Sequence, residues 1–107
     1  MNVLFICGRN RRRSPTAEVV IGRLDGVSAD SAGVRKDSEV VVSREQVEWA
    51  DLVVLMENRY RKPLRDVVGG AVLRNKRVVS VDIADDYEVM DDALIALLLQ
   101  RVPPLLH

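Results

Sequence analysis

Three short apolar runs constrain this chain more than any other feature: "VLFI" from Val3 to Ile6, "ADLVVLM" from Ala50 to Met56 and "RVVSVDI" from Arg77 to Ile83. Each has strand length. The stretches around them carry helical spacing, at Ser14 to about Leu24, Ser43 to Trp49, Asn58 to Val68 and Asp91 to Arg101. Continuous apolar runs suit strands buried on both faces, and their alternation with helices is the pattern of a parallel sheet covered on both sides. "GVSADSAG" offers a weaker fourth strand. The reading is therefore an α/β fold, one four-stranded parallel sheet with helices on both faces, in a single domain spanning 1–107. Trp49, Leu94, Ile95, Leu97 and Leu98 are expected in the core, and Val102 to His107, with two prolines, in a loose tail.

Composition removes several functions. Sixteen basic and sixteen acidic residues cancel, which argues against a general nucleic-acid or membrane-surface binder. "MNVLFIC" is too short for a signal-peptide core and no apolar run approaches membrane-spanning length, so the protein reads as soluble and cytoplasmic. The single cysteine, Cys7, leaves no internal disulfide, clustered zinc site or resolving thiol. The single histidine is the terminal His107, which disfavours histidine-based hydrolases and metal sites. Any acid or base is then Asp, Glu, Lys or Tyr, and no metal or cofactor is called for.

The chemistry concentrates in "FICGRNRRRSPTAE", Phe5 to Glu18. Cys7 stands among four arginines, and a positive field favours the nucleophilic thiolate. Five residues separate it from Arg13, after which Ser14 reads as an N-cap and Pro15 as the first helical residue. A loop of that length, comprising Gly8, Arg9, Asn10, Arg11, Arg12, Arg13 and Ser14, can wrap backbone N–H groups around a tetrahedral anion with the helix dipole behind it. Arg13 supplies a fork that matches two phosphate oxygens. Ser14 can donate to the sulfur, and Asn10 tolerates the left-handed backbone such a loop needs.

In open α/β sheets the ligand site lies beyond the carboxyl ends of the strands. The first strand ends at Cys7 and the last delivers "DIADDYE" to the same edge, so Cys7 and Asp85 can meet. Bland readings compete with this one: an inert strand-end cysteine, a solvated or RNA-binding arginine run, and an acidic loop whose Asp91 and Asp92 only support a helix N-terminus. The acidic spacing fits no calcium loop.

"VLFICGRNRRRSPTAE" resembles the phosphate-binding loop of the low-molecular-weight protein tyrosine phosphatases, in its Cys, five residues, Arg, Ser, Pro, and the Asn three places after the Cys; "DSAG", "ADLVVLM" and "DIADDYE" follow in the family's order. The closest likeness is to a compact, mainly bacterial branch. The resemblance implies a phosphatase-I-like fold, Cys7 as nucleophile, Arg13 as phosphate clamp, Asn10 and Ser14 as loop organisers and Asp85 as general acid. Asp86 stands where the family has proline, and Tyr87 and Asp86 are expected at the substrate pocket. The chain is shorter than the common family length, chiefly between "SAGV" and "ADLVVLM", and Arg9, Arg11 and Arg12 replace the family's apolar residues, glycine and second cysteine. Substrate preference therefore does not carry over.

The activity implied is a cysteine-dependent phosphomonoesterase that hydrolyses tyrosine or other aryl phosphates through a cysteinyl-phosphate, with a phosphorylated protein or small aryl phosphate as partner. Three alternatives stand beside it: a phosphocysteine carrier similar to sugar phosphotransferase IIB domains, an arsenate reductase-like enzyme, and a non-catalytic anion or RNA-binding module.

Overall fold

A computed structural model describes residues 1–106; His107 lies outside the described residues. Four strands form one sheet: β1 (Asn2–Cys7), β2 (Ser28–Gly33), β3 (Leu52–Leu55) and β4 (Arg77–Ser80). All pairs are parallel and the order is β2-β1-β3-β4. Val3, Leu4, Phe5 and Ile6 of β1 are fully buried, because the strand has a neighbour on each edge and helices over each face. Burial of such side chains contributes about 1.5–3 kcal/mol each. The register sets Phe5 between Ser31 and Val54, and Val54 beside Val79.

Helices α1 (Arg13–Ile21) and α5 (Asp92–Arg101) pack together, while α2 (Arg44–Trp49), α3 (Arg61–Val68) and α4 (Gly70–Leu73) form the other group. Right-handed crossovers account for this division, since the chain steps from β1 to β2 in one direction and then crosses to β3 in the other. The reversal falls at β1, so the loop after β1 opens where the sheet parts its two helical layers.

Several boundaries differ from expectation. Ser14 does not cap α1: the helix begins at Arg13, the cap position is Arg12 without a side-chain bond, and the Ser14 hydroxyl is taken up by Cys7 and Asn10. Pro15 is then the third helical residue, still within the turn whose N–H groups lack intrahelical partners. The helix stops at Ile21 rather than Leu24, with Gly22 as its C-cap. β3 and β4 are shorter than their apolar runs; past Ser80 the chain still donates from Val81 and Ile83 to Leu55 and Met56, but Asp82, at φ 53°, breaks the extended backbone.

The expected helix from Asn58 opens with a 3-10 turn at Asn58–Tyr60. Asp91 caps α5 by accepting from the Ala93 N–H at 2.8 Å. Leu94 and Leu98 are fully buried and Ile95 and Leu97 pack against them, but Trp49 is 38% exposed because the six-residue α2 turns only Val47 inward. The tail is anchored up to Leu106: Val102 is fully buried, and Pro103–Leu105 makes a 3-10 turn whose Leu105 carbonyl accepts from Arg77 Nη1 at 2.6 Å. Among the described residues no helix is long and apolar enough to cross a membrane.

Candidate active site

The first three carbonyls of the loop from Cys7 to Arg13 are tied to the segment that follows β2. Those of Cys7, Gly8 and Arg9 accept from the N–H groups of Val34, Arg35 and Glu39, which follow β2. Among the described residues no acceptor takes the N–H of Gly8, Arg9, Arg11 or Arg12, so these donors are left for a ligand. The packing behind the loop requires glycine at 33, where a Cβ would lie 2.8 Å from the Gly8 carbonyl oxygen and 2.9 Å from the Arg9 carbonyl carbon. Asn10 adopts φ 56°, the left-handed turn that brings its own N–H to the Cys7 sulfur at 3.2 Å.

Behind the sulfur lies a directed chain of hydrogen bonds. Asn10 Nδ2 donates to both Ser14 Oγ (3.0 Å) and Ser31 Oγ (2.9 Å), and Ser31 in turn donates to Glu18 Oε1 at 2.6 Å. Because Ser14 accepts from Asn10, its own proton is free to point at Cys7 Sγ, 2.9 Å away. The sulfur therefore has two donors suited to negative charge. Cys7, Asn10, Ser14 and Ser31 are all buried, and a buried network of this kind is rigid when every member is satisfied. Among the described residues no buried side-chain nitrogen or oxygen lacks a partner.

Arg13, 2% exposed, is fixed on three sides. Its Nη1 donates to Glu57 Oε2 (2.6 Å) and to the Ile83 carbonyl (2.7 Å), and its Nη2 donates to the Tyr60 hydroxyl (2.7 Å). Burial by itself would lower the Arg13 pKa, but the bonds to Glu57 and Tyr60 raise it above the ordinary arginine value. Burial pushes Glu57 up, and hydrogen bonds from Arg59 and Arg13 outweigh it and hold the carboxyl below the usual range. Tyr60 is raised, first by burial, against the opposing pull of Arg13. With Nη1 fully engaged, Nε and the second Nη2 proton form the free edge of the fork. Asp85 Oδ1 stands 3.6 Å from Nε on that edge.

Arg13, Tyr60 and Asp85 line a cleft of about 230 Å³ together with Cys7, Gly8, Arg9, Arg11, Arg12, Arg35 and Arg59. Cys7, Arg13 and Asp85 are thus brought together. Asp86 is exposed, Tyr87 packs partly buried against the core, and neither lines the cleft; Tyr60, from the turn after β3, is its aromatic wall. Glu57, Tyr60, Arg35, Arg59 and the second-layer pair Ser31 and Glu18 were not expected from sequence. A signal existed for the first four, since they follow the carboxyl ends of β2 and β3 as the Gly8 to Arg13 loop follows β1.

No protein-family model and no curated protein matches the chain. Solved structures do. The tyrosine phosphatase Wzb from Escherichia coli K30, in complex with phosphate, superposes with a TM-score of 0.72 at 21% identity, over 94% of this chain and 91% of that one. A low-molecular-weight protein tyrosine phosphatase from Bacillus subtilis gives 0.68 at 22% identity, over 94% and 93%. The YwlE arginine phosphatase from Geobacillus stearothermophilus gives 0.67 at 20% identity, over 92% and 84%. Likeness at such identities speaks for architecture, and the chain has the fold that these low-molecular-weight phosphatases share.

Proposed function

We propose that the protein, acting as one domain over 1–107, is a cysteine-dependent phosphomonoesterase for tyrosine or other aryl phosphates. The observation that carries this reading is the cleft floor: a buried sulfur with two donors behind it, unpaired loop amides around it and a guanidinium fork beside it. Such preorganised donors stabilise the charge spread over equatorial oxygens during phosphoryl transfer. The fold shared with known phosphatases supports the same conclusion.

In the first step the Cys7 thiolate attacks phosphorus, the phosphorus–oxygen bond to the alcohol breaks, and Asp85 gives its proton to the departing oxygen. The phosphoryl oxygens take the Nε and Nη2 edge of Arg13, which Asp85 now faces. Phosphate therefore displaces Asp85 from Arg13 and leaves the carboxyl free to serve the leaving group. In the second step Asp85 accepts a proton from water, the water oxygen bonds to phosphorus, and the sulfur–phosphorus bond breaks to release phosphate and restore the thiolate. Ser14, already bonded to the sulfur, stabilises it as it departs.

The test is hydrolysis of para-nitrophenyl phosphate by the intact chain and by Cys7→Ser. The variant is expected to lose turnover while still binding vanadate, because the amides and Arg13 do the holding. Substantial residual turnover would overturn the covalent mechanism, and binding without turnover in the intact chain would favour the anion-binding alternative.

A further inference from the structure

The upper walls of the cleft are poorly suited to a plain aromatic ring. Six of the residues that line it are arginines, and the carboxylate among them is Asp85. Tyr60, its aromatic member, has a hydroxyl bonded to Arg13 and Arg59 and a ring face covered by the Arg59 guanidinium at 5.0 Å. Stacking surface for a substrate ring is correspondingly small.

The arginines outside the floor hold reserve hydrogen-bonding capacity. Arg9, Arg11, Arg12 and Arg35 each meet an acid through Nε, at 3.3 Å to Asp37, 3.5 Å to Glu39, 3.8 Å to Glu88 and 3.3 Å to Asp37. None of those three acids lines the cleft. The terminal Nη atoms of the four arginines make no hydrogen bond to any described residue. Exposed pairs of this kind hold their members weakly, so the guanidinium groups can turn to a second anion without losing much. Arg13 and the loop amides already suffice for one phosphoryl group, which leaves the outer arginines with no role in holding it.

We propose, resting on the phosphomonoesterase reading above, that the alcohol portion of the substrate carries a second anionic group close to the ester, held by the outer arginines. A neutral alcohol leaves their Nη groups unused, and a cationic one meets like charge. The second anion belongs either to a small leaving group itself or to acidic residues flanking a phosphotyrosine, and the chemistry of recognition is the same.

The experiment compares kcat/KM within two matched pairs at low salt. One pair is 4-carboxyphenyl phosphate and its neutral isostere 4-carbamoylphenyl phosphate; the other is a phosphotyrosine peptide flanked by Asp and Glu and the same peptide with Asn and Gln. The anionic member is expected to be preferred about tenfold in at least one pair, the scale of two or three weak ion pairs acting together. That ratio should shrink in 0.5 M salt, where the Debye length falls to a few ångströms, and should drop toward unity in the Arg11→Gln, Arg35→Gln double variant. A preference confined to the first pair places the second anion on a small leaving group, and one confined to the second pair places it on neighbouring residues. Equal rates within both pairs, or a preference that the double variant keeps, overturns the proposal and leaves the phosphatase reading standing. Failure to turn over any of the four substrates overturns that reading and the proposal with it.

Discussion

The floor and the rim of the cleft are both built from charged and polar side chains, yet they are held in opposite ways. On the floor, Arg13 and Asn10 are almost wholly buried and each makes at least three hydrogen bonds. On the rim, the side chains of Arg9, Arg11 and Arg12 are nearly half exposed, and each touches one acid at 3.3–3.8 Å. A floor whose members fix one another is suited to a reaction that tolerates no displacement. A rim of loosely paired guanidinium groups can reorganise around whatever the phosphoryl group is attached to. Under the proposed function, chemistry and substrate preference would fall to neighbouring residues of one short loop.

The contrast is most sharply broken by making the same conservative change on each side. Arg13→Lys removes the fork and one of the two arginine partners of Glu57, and it should lower kcat/KM for para-nitrophenyl phosphate by roughly a hundredfold to a thousandfold or more, the scale seen when one preorganised donor to a transition-state oxygen is lost. Arg11→Lys keeps the charge on an exposed side chain and should stay within about threefold, as expected for a weak exposed ion pair. Equal losses would mean that the loop acts as a diffuse basic patch.

Much of the floor was legible in the sequence because its parts are local. Cys7, Asn10, Arg13 and Ser14 lie within eight consecutive residues, and the glycine, the Asn and the Ser-Pro each have a backbone or hydrogen-bonding reason to be there. Strand β1 was equally clear, being a run of apolar residues with no polar interruption. What escaped was set by the return of the chain. Glu57 and Tyr60 become partners of Arg13 only because β3 lies beside β1, and Arg35 reaches the cleft only because β2 ends level with Cys7. Extending the strand-end rule from the first and last strands to the middle two would have brought them in. Tyr87 and Trp49 were misplaced for a related reason, since an aromatic residue's environment depends on the tertiary neighbours of its short segment rather than on its type.

Asp85 sits between the two regimes, half exposed and yet within reach of Arg13. If it protonates the leaving oxygen, Asp85→Asn should slow phenyl phosphate by about a hundredfold or more, within the usual range of general acid help. The effect on para-nitrophenyl phosphate, a better leaving group, should be much smaller, and Asp86→Asn, outside the cleft, should slow both slightly. Single-turnover rates of cysteinyl-phosphate formation isolate this step. The reverse ranking of the two variants would transfer the acid to Asp86.

Glu57→Gln probes the floor through stability. The Glu57 carboxyl is held below its ordinary range in the folded chain, against burial, by hydrogen bonds from Arg59 and Arg13. A depressed folded pKa means that the stabilisation is fully present above the unfolded value, about 4.3, and is lost as pH falls through the folded value. The variant should therefore be less stable at neutral pH by on the order of 1 kcal/mol or more, a charge-assisted hydrogen bond being worth that much. Its melting temperature should fall less steeply in acid than that of the parent, so the two curves converge. Parallel curves from pH 3 to 7 would show that Glu57 gains nothing from its arginine neighbours.

The smallest effect belongs to the rim, and it is the one that decides whether floor and rim are truly separate. Arg12 marks the boundary: its carbonyl accepts from both the N–H and the hydroxyl of Thr16 at the start of α1, while its side chain faces outward to Glu88, itself 81% exposed. The backbone of this residue belongs to the floor and its guanidinium to the rim. Arg12→Gln leaves the carbonyl bonds in place and removes one long exposed pair, so its stability should change by less than about 0.5 kcal/mol. Its kcat/KM for a neutral aryl phosphate should move far less than that of Arg13→Lys. Thermal unfolding followed beside steady-state rates measures both. A loss of stability comparable to that of Glu57→Gln would show that the rim pairs help to hold the loop, and that the outer arginines are part of the same rigid unit as the fork.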